Sequence, residues 1–207
     1  MTLLVVDQFR MVADSYAEVT DTQGETRIER DFPKMVTTHY QVFHAGEESF
    51  ASMGFCGDAA TFVEFIGRLK DRPDLVTSDY LSQIADTHMR EYNRCLVVIP
   101  FPNAVLTIHM GGSQDVLMEY FEGATHAFGA GYEYAQPPGG MEEMRAWFSV
   151  FYQAIENGGV PGRDVHYLEH TTSLEPREPT EETLEPARKC RTISRRIRGV
   201  KARMSRS

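Results

Sequence analysis

Cysteine is scarce here, three in 207 residues, and Cys56, Cys95 and Cys190 are odd in number and far apart. That spacing excludes a disulfide framework and a zinc knuckle, and sets a reducing, cytoplasmic compartment as the expectation. The seven histidines (39, 44, 88, 109, 126, 166 and 170) hold no i, i+4 pair on a predicted helix, so no metal site is expected. Long apolar runs are absent as well: nothing approaches the ~20 residues that cross a bilayer as a helix. The chain start has no basic segment ahead of an extended apolar one, so no secretory signal is expected. Gly111-Gly112 and Gly129-Ala130-Gly131 lack the lysine of a phosphate-binding loop and the distant acid of a dinucleotide fold. Turns explain them, and no cofactor is expected.

Acidic residues are missing from one place. Of 21 Lys/Arg, nine fall in residues 188–207, which hold no acid; the rest of the chain keeps 12 basic against 30 acidic residues, a charge of −18 beneath the overall −9. Between the two regimes, Glu175 to Pro186 mixes prolines with carboxylates and reads as an extended linker. The expected organisation is a domain over residues 1–172, an acidic linker over 173–187 and a basic tail over 188–207. Ile193, Ile197 and Val200 stand at helical spacing among arginines. Such a tail contacts nucleic acid or another anionic partner, neutralises the acidic body, or stays solvated. The 42% apolar and 11% aromatic content suits one globular core.

Residues 2–6 and 11–19 are apolar, β-prone runs around Asp7-Gln8-Phe9-Arg10, which predicts a hairpin; Asp21 to Asp31 is polar and predicts a loop or irregular extension. Met35–Phe43 and Glu48–Met53 predict a second strand pair. Asp58–Lys70 and Ser78–Tyr92 carry apolar residues at helical spacing behind good cap residues. Short strands follow over Cys95–Phe101, Ala104–Met110, Val116–Phe121 and Ala124–Phe128, then a helix over Met141–Glu156 and a strand over Val165–His170. This order predicts an α+β fold, two mainly antiparallel sheets packed together with helices outside, a four-layer αββα sandwich.

Thr2 is the residue with chemistry to offer. If Met1 is trimmed, a terminal threonine attacks a carbonyl with its own α-amine as base, and that amine titrates near ~7.7–8.0. The reaction needs a carboxylate and an ammonium close by, and Asp14 and Lys34 are the available pair. A turn centred between Gln8 and Phe9 sets Ser15 opposite Thr2 and Asp14 opposite Leu3.

Four ordered blocks carry a resemblance: Met11-Val12-Ala13-Asp14-Ser15, Phe32-Pro33-Lys34-Met35-Val36, Ser52-Met53-Gly54-Phe55-Cys56-Gly57-Asp58-Ala59, and Ala127 to Ala135. Together they resemble the proteasome β-subunit family of N-terminal nucleophile hydrolases, especially bacterial proteasome-like members that start Met-Thr. The resemblance implies the αββα architecture of that family and a homo-oligomeric ring acting on peptides or unfolded proteins. It implies a threonine peptidase in which Thr2 is the nucleophile, Asp14 and Lys34 orient and activate it, and the Gly54 N–H holds the oxyanion. Ser52 and Met53 fall at its specificity pocket, and Glu18 and Ala130 at substrate-contacting positions. Matching the local text Thr-Leu-Leu-Val to the family's start instead sets Thr2 two residues inside the strand, leaving no nucleophile. Departures are visible too: Ala130 and Asn157 replace serines, Ala154 an aspartate, and Glu18 a threonine. The alternative is therefore a catalytically silent domain that forms rings or binds a partner.

Overall fold

The computed structural model describes residues 2–7, 9–20, 24–69, 75–123, 125–130, 153, 156–157 and 165–170. Its first strands are β1 (Leu3–Asp7), β2 (Arg10–Asp14), β3 (Ala17–Thr20), β4 (Thr26–Glu29), β5 (Met35–Thr37), β6 (Gln41–His44), β7 (Glu47–Glu48) and β8 (Ser52–Gly57). Then come α1 (Ala59–Gly67), β9 (Leu75–Thr77), α2 (Ser78–His88), β10 (Cys95–Pro100), β11 (Ala104–Met110), β12 (Leu117–Glu122), β13 (Thr125–Gly129) and β14 (Val165–Glu169).

Asp7 turns the chain between the first two strands, its Oδ1 accepting the N–H groups of Phe9 and Arg10 at 2.7 and 2.8 Å. The register that results pairs Leu4 with Ala13, Val5 with Val12 and Val6 with Met11, as a turn between Gln8 and Phe9 requires. β13 adds to β1 and β14 to β2, giving a four-stranded sheet in the order β13-β1-β2-β14. A five-stranded sheet, β12-β11-β10-β8-β5, faces it. Leu4, Val6, Met11 and Ala13 from the first sheet meet Met35, Cys56, Val98 and Val105 from the second in one buried layer.

The other face of the five-stranded sheet carries the larger core. Val97, Ile99, Leu106 and Ile108 pack there with Phe62 and Phe65 of α1 and Leu81, Ile84 and Ala85 of α2. Covered on both faces, β10 reads as an unbroken apolar run (Leu96-Val97-Val98-Ile99) rather than an alternating one. Asp58 caps α1 by accepting the Thr61 N–H, and Thr77 caps α2 by accepting that of Tyr80. No helix among the described residues is long and apolar enough to cross a membrane.

The four-layer αββα sandwich is corrected by this arrangement. The described chain is mainly β, with fourteen strands and two helices, and both helices pack on strands of the five-stranded sheet or of a smaller neighbour: α1 on β8 and β10, α2 on β6, β9 and β11. Two small sheets, β3-β4 and β7-β6-β9, complete it, the latter including a parallel β6–β9 pairing. The cause lies partly in segments without a buried face. Thr26–Glu29, inside the predicted loop, is mostly exposed, yet pairs with Ala17–Thr20 as a ribbon, and β9 is three residues long. Neither shows the periodicity from which strands are read. The helix predicted over Met141–Glu156, apart from Gln153 and Glu156, lies outside the described residues, as do the linker 173–187 and the tail 188–207.

Candidate functional site

Two donors converge on the carboxylate that ends β2. Leu3 N–H gives a 2.7 Å hydrogen bond to Asp14 Oδ1, and Lys34 Nζ lies 2.6 Å from Asp14 Oδ2. The Tyr16 N–H adds a third bond, to Oδ2 at 3.3 Å. Lys34 sits just before β5, and its carbonyl accepts the Phe55 N–H at 3.0 Å, which ties it to β8. Asp14 is 0% exposed and Lys34 2%. Burial draws the Lys34 ammonium below its usual pKa, while the charge of Asp14 and its hydrogen bond push the other way. Leu3 follows Thr2, so this ion pair stands one peptide unit from Thr2.

Thr2 is buried, and its carbonyl accepts the Ala130 N–H at 2.7 Å. Leu3 pairs with Gly129, whose φ is +92°, and a Cβ on Gly129 would lie 2.0 Å from the Thr2 oxygen and 3.1 Å from Cys56 Sγ. Position 129 therefore needs glycine for both conformation and space. Thr2 lines a cavity of about 400 Å³ together with Cys56, Gly57, Arg94, Leu96 and Met110. Burial pushes the Cys56 thiol up to about 12, so it stays protonated near neutral pH.

Hydrogen bonds thus link Thr2, Asp14, Lys34 and Ala130 by way of the backbone of residues 2 and 3, and none of those bonds involves the other positions singled out in the sequence. Gly54 lies within β8, opposite Met35 on one side and Val98 on the other. A Cβ there would meet Leu4 Cδ2 at 2.7 Å and Met11 Sδ at 3.3 Å, so its bareness lets the two sheets close. Ser52 is buried, its Oγ 3.2 Å from His170 Nδ1. Met53 belongs to the core beneath the helices, its Sδ 3.8 Å from Tyr40 Oη. Glu18 is exposed on β3, opposite Ile28. Three neighbours carried no signal in the sequence: Cys56 and Arg94, which line the cavity, and His170, 118 residues from the serine it touches.

No family model matches the chain, and no curated protein matches it. Among solved structures it is similar to Anbu (ancestral beta-subunit) from Yersinia bercovieri, with a TM-score of 0.48 and 10% identity over 82% of this chain and 80% of that one. It is similar also to Anbu from Hyphomicrobium sp. strain MC1, with a TM-score of 0.46 and 8% identity over 81% of each chain. At such values neither likeness bears on the chemistry of the site. The assignment to the proteasome β-subunit family, and to its Met-Thr bacterial members, is corrected accordingly. No family model supports it, and these two structures are Anbu proteins at 10% identity or less. Part of the resemblance has a local physical origin, since Gly57 and Gly129 are fixed by positive φ and close backbone approach.

Proposed function

We propose that this protein hydrolyses peptide bonds through Thr2, acting as an N-terminal nucleophile once whatever precedes it is removed. The observation that carries this reading is the buried Asp14–Lys34 pair, bonded to the peptide N–H next to Thr2 at the edge of a cavity. Burying an ion pair costs desolvation that its attraction barely returns, and apolar residues of the same size would hold the sheets as well. A pair kept in that place supports a role in chemistry. The α-amine of Thr2 takes the hydroxyl proton, and Oγ attacks the carbonyl. The leaving amine is protonated, and water then releases the acyl group from the ester. The Lys34 cation favours the neutral amine and the alkoxide, and Asp14 holds Lys34 and the Leu3 N–H in fixed relation.

A peptide epoxyketone tests this, because its ring adduct uses a hydroxyl and an amine on adjacent carbons. Intact-mass spectrometry is expected to find the adduct in protein that begins at Thr2. It is expected to be absent from Thr2→Ala, and its formation slowed about 100-fold or more in Lys34→Ala. Lack of the adduct in a sample proven to begin at Thr2 overturns the reading. What then stands is a silent domain that self-assembles or binds a partner, favoured by Ala130, which offers no hydroxyl beside Thr2, and by the exposure of Glu18. In either case the chain is proposed to form homo-oligomers, rings included. A single 23.5 kDa species in sedimentation at all micromolar concentrations would refute that.

A further inference from the structure

Three glycines hold the Asn93-Arg94 segment at the cavity that Thr2 lines. Gly57, Gly111 and Gly112 have φ of +110°, +79° and +69°, in the left-handed region where glycine is favoured. A Cβ on Gly57 would lie 2.5 Å from the Arg94 carbonyl oxygen, and one on Gly111 2.2 Å from that of Asn93. On Gly112 it would lie 2.6 Å from Arg94 Cγ and 3.0 Å from Nε, so the stem of Arg94 occupies the place of the missing side chain. Asp58 N–H to Arg94 O at 3.0 Å and Gly112 N–H to Tyr92 O at 2.6 Å complete the clamp.

Among the described residues, the guanidinium so positioned has neither an ion pair nor a hydrogen bond. The other ionisable side chains of the cavity have partners: His109 Nε2 lies 3.2 Å from Glu119 Oε2, and Asp115 Oδ1 3.3 Å from Arg90 Nη2. Cys56, Leu96 and Met110 supply an apolar wall. A volume of about 400 Å³ is near the lower end for ligand sites and suits one side chain rather than a long peptide.

We infer that this cavity receives a carboxylate-bearing side chain of the substrate, with the Arg94 guanidinium pairing to the carboxylate and the apolar wall holding the short chain that carries it. The substrate class is an amide whose acyl residue is acidic, an assignment that rests on Thr2 as the nucleophile. A planar guanidinium donates two parallel hydrogen bonds to a carboxylate, whereas an uncharged amide in the carboxylate's place forfeits the charge.

Two arms test the inference on protein proven to begin at Thr2 and otherwise complete. In the first, epoxyketones ending in glutamate or glutamine label wild type, Arg94→Gln and Arg94→Lys, all three checked for equal thermal melts. The glutamate probe is expected to react about tenfold faster in wild type. That preference should vanish in Arg94→Gln and survive in part in Arg94→Lys. Equal rates in wild type, or a preference that outlasts Arg94→Gln, overturn the inference while leaving the Thr2 reading intact. No adduct with either probe defeats the Thr2 reading, and the second arm then decides. Calorimetric titration with N-acetylglutamate and N-acetylglutamine upholds the anion site if selective binding is lost in Arg94→Gln, and overturns it if the two bind alike.

Discussion

At Asp14 and Lys34, stability and chemistry make opposite demands, and mutation separates them. Lys34→Met strands a buried carboxylate and is expected to cost about 3–5 kcal/mol in urea unfolding. Replacing both partners, as in Asp14→Asn with Lys34→Met, removes the charges together while keeping an oxygen to accept the Leu3 N–H, and is expected to recover most of that loss. Its product should be a folded protein that takes no epoxyketone. A double variant as unstable as the single one would mean that the pair is needed for the fold itself. Gly129 answers to a different constraint. Gly129→Ala meets both a positive φ and the Thr2 carbonyl, so a loss above about 2 kcal/mol is expected in the same measurement.

Between elements, the least expected joint is His170. Its Nε2 lies 2.9 Å from the Asp7 carbonyl, which only accepts, so Nε2 carries the proton and Nδ1 accepts from the Ser52 hydroxyl. The ring stacks on Phe50 at 4.6 Å, and the His170 N–H bonds to Phe9 O at 2.8 Å. The end of β14 is thereby fastened to the β1–β2 turn and to β8. Burial pushes His170 down to about 4, against roughly 6.5 for a free histidine. The unfolded chain takes up this proton first. The contribution of the joint is therefore complete above about pH 6.5 and is lost as the pH falls toward 4. Melting temperatures across that window are expected to fall more steeply for wild type than for His170→Phe; parallel curves would refute the assignment. Helix caps were legible in the sequence because Asp58 and Thr77 act within three residues of themselves. The Ser52–His170 contact spans most of the chain, and no local pattern announces it. The apolar face of α1 is likewise spent within the molecule: Phe62 and Phe65 are core, Ile66 packs against it, and Val63 is the exposed apolar residue of that helix.

Across the whole molecule, charge is divided more sharply than fold. Removing residues 188–207 takes away nine cations and changes the net charge from −9 to −18. The truncated chain is expected to melt within a few degrees of the full one and to lose its binding to heparin at low salt, the difference shrinking as salt rises. A large drop in melting temperature would mean that the basic segment packs on the body. The hairpin register and most strands were readable because their apolar residues face a core on one side or both. The layer count was not, since it depends on which sheet each helix covers, and amphipathic spacing says only that a helix covers something.

The position of β1 has a consequence in time. The five-stranded sheet draws all its strands from residues 35–122, whereas β1 is hydrogen-bonded to β13, 118 to 126 residues downstream, and β2 to β14, farther still. Contacts that distant are slow to close, because a long loop must be immobilised before any pairing offsets the lost freedom. β1 can pair at once with the neighbouring β2, but the strand on its other side, β13, is made only after more than a hundred further residues. A chain interrupted before residue 125 would own the threonine, the carboxylate and the lysine, yet would lack the strand that seats the threonine. The chemistry proposed for Thr2 therefore depends on a strand made long after the residue it serves.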